Sequence, residues 1–336
     1  MKPAGTSRGV LQEKDSWFII LSDQSQPERV GIGECSVIPG LSMDNPEDMV
    51  SMLNGTCMAL NHGYALPDLT VFPAIRFALE TALNDFESGG KQVLFNTKFT
   101  EGTAGIPING LIWMGSKGSM LEQVAEKLDK GFKVLKLKVG AIDFEDEIDL
   151  IRAIRIEHPA SELEIRLDAN GAWSEGEAIS KLDRLSAYNI HSLEQPIAAG
   201  QTEEMAEICN LSNIPIALDE ELISVVDSGE RVKLLQTINP RYIILKPSLL
   251  GGLEQSKEWI SIAQSTDIQW WVTSALESNV GLNAIAQWTA TLDTKLPQGL
   301  GTGSLFENNI PSPLEVRGDK LYYRNGGSWD LSYLSG

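Results

Sequence analysis

Positive charge is scarce in this sequence. Lys and Arg number 27 against 46 Asp and Glu, giving a formal charge of -19 over 336 residues. Nucleic-acid binding draws on clustered basic side chains that displace counterions from phosphates, so that class of partner is excluded. The acidic excess reads as a well-solvated surface. Histidine is nearly missing too: His62, His158 and His191 are scattered, too few for a His-based metal site or a nucleophile–His triad. His158 precedes Pro159 at an expected helix end and His191 opens a short strand, so both are read as structural. The three cysteines, Cys35, Cys57 and Cys209, form no CxxC pair, which fits a reduced compartment. No run approaches the roughly 20 apolar residues of a membrane span. Met1 to Gly9 holds no apolar stretch long enough for a signal peptide. The expectation is a soluble cytoplasmic protein with no membrane partner.

What the sequence does have is alternation. A chain of 336 residues exceeds what one hydrophobic core usually serves, so a large unit and a smaller one are expected. Residues 1–100 read as an α+β capping domain. Ser16 to Leu21 and Arg29 to Glu34 are paired strands with a turn around Gln26-Pro27, followed by a breaker-rich loop, Val37 to Met43. Of two helices, the first starts near Pro46 with Asn45 as cap. The second, Ala74 to Phe86, gathers Ile75, Leu79, Ala82, Leu83 and Phe86 on one face. From 101 to 312, strands and helices alternate, with strands at Ile106 to Trp113, Val134 to Val139, Glu164 onward, His191 to Glu194, Ile214 to Asp219, Tyr242 to Lys246, Gln269 to Thr273 and Gln298 to Thr302. That rhythm predicts a (β/α)7β TIM-like barrel of the α/β class. A barrel is preferred to a doubly wound sheet because polar groups end at least five successive strands, and closure brings such ends to one mouth. The tail, 313–336, falls outside the rhythm and is expected to complete the capping domain.

The polar strand ends carry the chemistry. Glu164 to Gly171 alternates Ile165, Leu167 and Ala169 with Arg166, Asp168 and Asn170. A buried parallel strand is normally apolar on both faces, so this polar face asks for a function. Two later strands also end in carboxylates: Glu194 lies 26 residues after Asp168, and Asp219 a further 25. Three carboxylates without His or Cys suit a hard cation, Mg²⁺ or Mn²⁺. Lys136 and Lys138 share one strand face, so both ammonium groups can enter the barrel and depress each other's pKa by like-charge repulsion. A neutral amine is what a general base needs. Lys246, before Pro247, offers a second base, an acid or a fixed cation on the opposite wall. Lysines facing a carboxylate-bound divalent ion suit removal of the proton beside a substrate carboxylate, since the ion can stabilise the resulting enediolate. The expected partner is a small-molecule carboxylate. A Schiff-base aldolase would need no triple carboxylate.

Lys136-Leu137-Lys138, Asp168-Ala169-Asn170, Glu194-Gln195-Pro196, Asp219-Glu220 and Lys246-Pro247 together resemble the muconate-lactonizing subgroup of the enolase superfamily, over nearly the whole chain. Lysine bases with Mg²⁺ are an established pattern of that superfamily. Val37 to Ser42, Lys246 to Gly252, Ser274 to Ser278 and Gly299 to Gly303 bring the resemblance closest to its dehydratase branch. The resemblance implies syn elimination of water from a succinyl-hydroxycyclohexadiene carboxylate, making the ring aromatic. It casts Lys138 as the group that takes the α-proton and returns it to the leaving hydroxyl. Lys246 becomes a cation over the other ring face, and Asp168, Glu194 and Asp219 become Mg²⁺ ligands. Lys136 and Arg166 are implied as charge-tuning groups. Ser274, Gly301, Asn109, Arg166 and Asn170 are implied on the substrate side, with the loop from Pro39 to Met43 closing the mouth.

The chain departs from the family pattern in two places. It reaches Pro3-Ala4-Gly5 where relatives have a preceding strand, so a shortened or rebuilt first domain is expected. Glu221 stands where relatives often have Ser. The nearest alternative is an isomerase of the same subgroup, such as an N-acylamino acid racemase, with Lys138 and Lys246 as opposed bases. A dipeptide epimerase is disfavoured because Gly301-Thr302-Gly303 lacks the Asp-x-Asp of those enzymes. A non-catalytic barrel that only holds metal or a partner is disfavoured by the presence of both lysines with all three carboxylates.

Overall fold

The computed structural model describes residues 4–6 and 9–334. Most of the segment used for the signal-peptide reading, and Pro3 of the N-terminal departure, therefore lie outside the described residues. The chain opens with two short antiparallel strands, β1 (Ala4–Thr6) and β2 (Gly9–Leu11), and then a longer hairpin, β3 (Ser16–Asp23) and β4 (Gln26–Ser36). The hairpin turn falls at Gln24-Ser25 rather than at Gln26-Pro27. The Asp23 carboxylate accepts both the N–H and the hydroxyl of Ser25 at 2.8 Å, which sets the turn early and leaves Pro27 inside the strand. Helices α1 (Met49–His62) and α2 (Pro73–Glu87) follow. Helix α1 starts three residues after Pro46, because Asn45 accepts the Glu47 N–H and donates to Asp48, closing a turn ahead of the helix.

Strand β4 has two different faces. A Cβ on Gly31 or Gly33 would lie 2.2 or 1.9 Å from the Ala82 or Ala78 carbonyl oxygen of α2, so only glycine allows this strand-on-helix approach. The alternate residues, Ile32 and Glu34, point the other way and are buried.

The alternating region begins with β5 (Ile106–Pro107), β6 (Gly110–Ile112) and α3 (Lys117–Asp129). It continues through β7 (Val134–Lys138), α4 (Phe144–Glu157), β8 (Glu164–Asp168), α5 (Glu175–Leu185), β9 (Ser192–Glu194) and α6 (Thr202–Leu211). Next come β10 (Ile216–Leu218), α7 (Ser228–Ile238), β11 (Tyr242–Leu245), a short α8 (Pro247–Leu250), α9 (Leu253–Ser265), β12 (Gln269–Val272) and α10 (Asn279–Thr289). Strands β6 to β12 form a seven-stranded parallel sheet in sequential order. The expected last strand contracts to Gln298 and Gly299. These two bridge in parallel to Ile108 on one side and Thr273 on the other, and so join the two edges of the sheet. These bridges close the sheet end to end, and the apolar outer faces of the strands pack under the helices in one continuous core. No helix among the described residues is long and apolar enough to cross a membrane.

The C-terminal segment divides. Strands β13 (Leu314–Arg317) and β14 (Lys320–Tyr323) form a hairpin that pairs with β5, whereas Trp329, Leu331 and Leu334 pack beside Ile32, Phe18 and Val30 of the first hairpin.

The loop after β4 is tied back by a borrowed cap. Helix α2 has no side-chain cap of its own at Phe72; instead the buried Asp44 carboxylate accepts the Ala74 N–H at 3.1 Å. Asp44→Ala should cost about 1–2 kcal/mol in urea or thermal unfolding, the usual loss for an N-terminal cap. Burial pushes the Asp44 carboxyl up to about 6, against the hydrogen bond from Ala74. An acid whose folded pKa is raised becomes costlier to the fold as it ionises. Between the ordinary aspartate range and about pH 6, the wild type should therefore lose stability relative to Asp44→Asn, levelling off above that.

Candidate active site

Parallel register brings Lys138, Asp168 and Glu194 to one height, with Lys136 a step below beside Arg166. Lys138 pairs with Asp168, and Asp168 with Glu194, across β7, β8 and β9. Asp219 immediately follows β10 and Lys246 immediately follows β11, each at the C-terminal end of its strand. All six groups of the trio of lysines and trio of carboxylates are buried. Lys136 Nζ bridges Asp168 and Glu194 at 2.7 Å to each. Lys138 Nζ donates to Asp168 at 2.5 Å and to Asn170 Oδ1 at 2.9 Å. Lys246 donates to Asp219 on the far side. Asn170 stands just above Asp168 in the left-handed region, φ 47°, and its amide donates to Glu220 at 3.0 Å.

The two lysines of β7 are not equivalent, contrary to the mutual depression expected from their spacing. Burial, followed by the Lys136 charge, depresses the Lys138 pKa despite the neighbouring Asp168. Burial acts on Lys136 as well, but Asp168, Glu194 and Asp219 together outweigh it and raise its pKa. Lys136 thus remains a fixed cation while Lys138 is eased towards the neutral amine. Lys246 is also burdened by burial, yet Asp219 and Glu220 raise it. Among the acids, burial and the Asp168 charge push Glu194 up. Asp168 and Asp219 are held down because the lysines beside them outweigh burial.

These groups open into a cavity of about 430 Å³. Lys136, Lys138, Asn170 and Lys246 line its polar side, with Leu111, Trp113 and Trp271 on an apolar side. The loop after β4 contributes Ile38, Pro39, Gly40 and Leu41, and the turn after β12 contributes Ser274, Ala275 and Leu276. Asn109, Gly301 and Thr302 also reach it. Of the residues expected on the substrate side, Arg166 does not. It faces inward one step below Asp168, donates to Glu164 at 2.8 Å and to the Pro297 carbonyl at 2.9 Å, and is stacked 4.4 Å from the Trp271 ring. Trp271 lines the cavity and Arg166 stacks on its ring from outside the lining, so Arg166 supports that wall. Ser274 lines the cavity with its hydroxyl proton already committed, donating to Glu277 at 2.6 Å while accepting from Thr302 at 2.8 Å. Glu221 turns away and accepts from Gln195 and Gly200, fastening the loop after β9.

Two features went unread in the sequence. Trp271 faces inward by the period of its strand, and that alternation was a usable signal. Glu277 lies in the Ser274 to Ser278 segment that carries the resemblance, and nothing in sequence spacing reveals that it is fully buried between Ser248 and Ser274.

The donor set fits a hard divalent cation. It consists of carboxylates alone, and Asp219 Oδ1 is buried without a hydrogen-bond partner, a costly state for an anionic oxygen unless a cation answers it. Among the described residues no three acidic groups are gathered around a common point as a ready-made ion site. Lysine ammonium groups lie between the carboxylates instead.

Residues 119–326 match the family described as enolase C-terminal domain-like. The o-succinylbenzoate synthase of Desulfotalea psychrophila is 46% identical, the alignment covering 95% of each chain. The D-Ala-D/L-Ala epimerase of Cytophaga hutchinsonii is 26% identical over 97% of this chain and 88% of its own. Among solved structures, that of MenC from Desulfotalea psychrophila superposes with a TM-score of 0.81 at 42% identity, covering 96% of this chain and 97% of that one. A dipeptide epimerase from Cytophaga hutchinsonii, complexed with Mg and the dipeptide D-Ala-L-Val, shares the fold with a TM-score of 0.82 at 22% identity, covering 100% and 94%. With a family match across most of its length and a relative 46% identical over nearly all of it, the chain belongs to the o-succinylbenzoate synthase family of the enolase superfamily.

Proposed function

We propose that this protein is an o-succinylbenzoate synthase, a carbon–oxygen lyase. It would dehydrate 2-succinyl-6-hydroxy-2,4-cyclohexadiene-1-carboxylate to 2-succinylbenzoate, a step of menaquinone biosynthesis in the cytoplasm. The observation that carries the reading is the pair of buried lysines, Lys138 and Lys246, set on opposite sides of three carboxylates at the mouth of a closed barrel. The 46% identical relative supports the same activity. The division into a capping unit, 1–100 with 313–336, and a catalytic barrel, 101–312, belongs to this reading, except that β13 and β14 pair with β5 and side with the barrel.

Lys138 Nζ, eased towards neutrality, takes the proton from the carbon bearing the substrate carboxylate. The electron pair left behind is delocalised into that carboxylate as an enediolate. Its collapse forms the last ring double bond and expels the hydroxyl, to which the Lys138 ammonium returns the proton on the same face, releasing water. Lys246, kept charged beside Asp219 and Glu220, holds a positive field at the opposite face. Lys136 stays cationic and fixes Asp168 and Glu194. Asp168, Glu194 and Asp219 would hold Mg²⁺, which when bound supplies the positive charge that lowers the cost of the enediolate. Leu111, Trp113 and Trp271 exclude water and offer an apolar face to the ring.

Lys138→Ala should lower turnover by at least about 10³-fold while the thermal unfolding midpoint stays within a few degrees of wild type. Following the aromatic absorbance of the product tests this, and surviving dehydration in a folded Lys138→Ala protein would sink the mechanism. Stripping with EDTA should abolish turnover and Mg²⁺ should restore it. Added Mg²⁺ should also raise the unfolding midpoint of the stripped wild type by mass action, and this rise should vanish in Asp219→Asn. A racemase working from the same lysines would instead exchange the α-hydrogen of N-succinyl amino acids with solvent deuterium. That exchange without any aromatic product from the cyclohexadiene would replace the proposal by the isomerase reading.

A further inference from the structure

We propose that Glu34, in the first hairpin and outside the barrel, is a positioning residue that sets the width of the substrate cavity. The claim rests on the dehydratase reading for its activity readout and on geometry for everything else. Glu34 is fully buried and spends both carboxylate oxygens on the start of α10. It accepts the Ser278 N–H at 2.8 Å, the Ser278 hydroxyl at 2.5 Å and the Gly281 N–H at 2.9 Å. Its outer side is backed by Ser16 at 2.9 Å, and Lys14 reaches Ser36 and Ser16 next to it. A Cβ on Gly281 would lie 2.8 Å from Glu277 and 3.0 Å from Glu34, so the helix start fits against both acids only as glycine. On the same face of β4, Ile32 packs with Val280, so an apolar contact and a carboxylate dock side by side.

Both cavity walls continue directly from this joint. Four residues beyond Glu34 begin Ile38, Pro39, Gly40 and Leu41. Four residues before Ser278 begin Ser274, Ala275 and Leu276. The second segment is strained: Leu276 holds φ 61°, a left-handed backbone that a branched side chain adopts only when its surroundings enforce it. Glu277 provides that enforcement by accepting from Ser274 and the Ala275 N–H, with Ser248, two residues past Lys246, on its other oxygen. The two walls then meet in an apolar cluster, where Ile38, Leu41 and Met43 pack on Ala275 and Leu249. Glu34 is the polar pin that holds α10, and with it the Leu276 turn, at a set distance from the loop.

Glu34→Gln keeps the shape but can no longer accept at both oxygens. It should raise KM about tenfold or more and leave kcat within about threefold, because Lys138, Lys246 and the carboxylates are untouched. Amides of residues 275–281 should exchange with deuterium about tenfold faster than in wild type, measured without substrate, while amides of β7 and β8 stay unchanged. Ser278→Ala, which removes the hydroxyl bond to Glu34 and the cap on the Val280 N–H but keeps both backbone bonds to Glu34, should raise KM in the same direction by less. Ile151→Val, in the barrel core on α4, lowers stability outside this joint and should move neither readout. Unchanged exchange at 275–281, a kcat loss without a KM rise, or an equal KM rise in Ile151→Val would overturn the role. If the wild type turns over no cyclohexadiene substrate, the dehydratase reading falls, and the pin is judged on the exchange data alone.

Discussion

Six charged side chains buried together at the C-terminal mouth of a parallel barrel are the constraint on which the rest of the structure depends. Each would cost several kcal/mol if buried alone, and the group is tolerable only because every lysine touches a carboxylate. That compensation requires the strands to be parallel, in register and closed. A one-residue slip of β8 against β7 would send Asp168 outward and leave Lys136 and Lys138 uncompensated. The apolar outer faces enforce the register, since the same slip would carry Ile165 and Leu167 out of the core.

The compensation is uneven, and the unevenness is what suits proton transfer. Lys136 meets two carboxylates and is locked as a cation, whereas Lys138 meets one and feels Lys136 behind it. Two lysines two residues apart thereby acquire different duties from partner geometry alone. The barrel supplies the charged groups, but the space above them is finished by segments from elsewhere. The loop after β4 is held by Asp44 at the start of α2, and the Leu276 turn is held by Glu277 and the Glu34 joint. Charge and cavity shape are thus set by separate parts of the chain.

Much of this was legible in the residues. The period of Glu164 to Gly171, the matched spacing to Glu194 and Asp219 and the Lys-x-Lys face gave the barrel, its mouth and the six charged groups. Less legible were the places where a side chain's partner lies far away in sequence. Arg166 looked like a substrate-side cation because its position on the polar face was known but its height under Trp271 was not. Ser274, implied on the substrate side, lines the cavity, but spacing gives no sign that Glu277, three residues on, folds back to take its hydroxyl proton. The expected last strand shrank to Gln298 and Gly299, since closing a barrel needs only enough backbone to satisfy the two open edges.

The sequence by itself determined the local periods, the strand and helix order, and which residue types stand at the strand ends, because those follow from alternation and capping within a few residues. Only the tertiary structure decided which ammonium group faces which carboxylate and therefore which lysine is eased towards neutrality. It alone decided that Glu34 of the first hairpin would meet the start of α10, a contact across 244 residues. Electrostatic compensation and wall placement depend on distances of a few ångströms between remote segments, and no spacing along the chain encodes those distances.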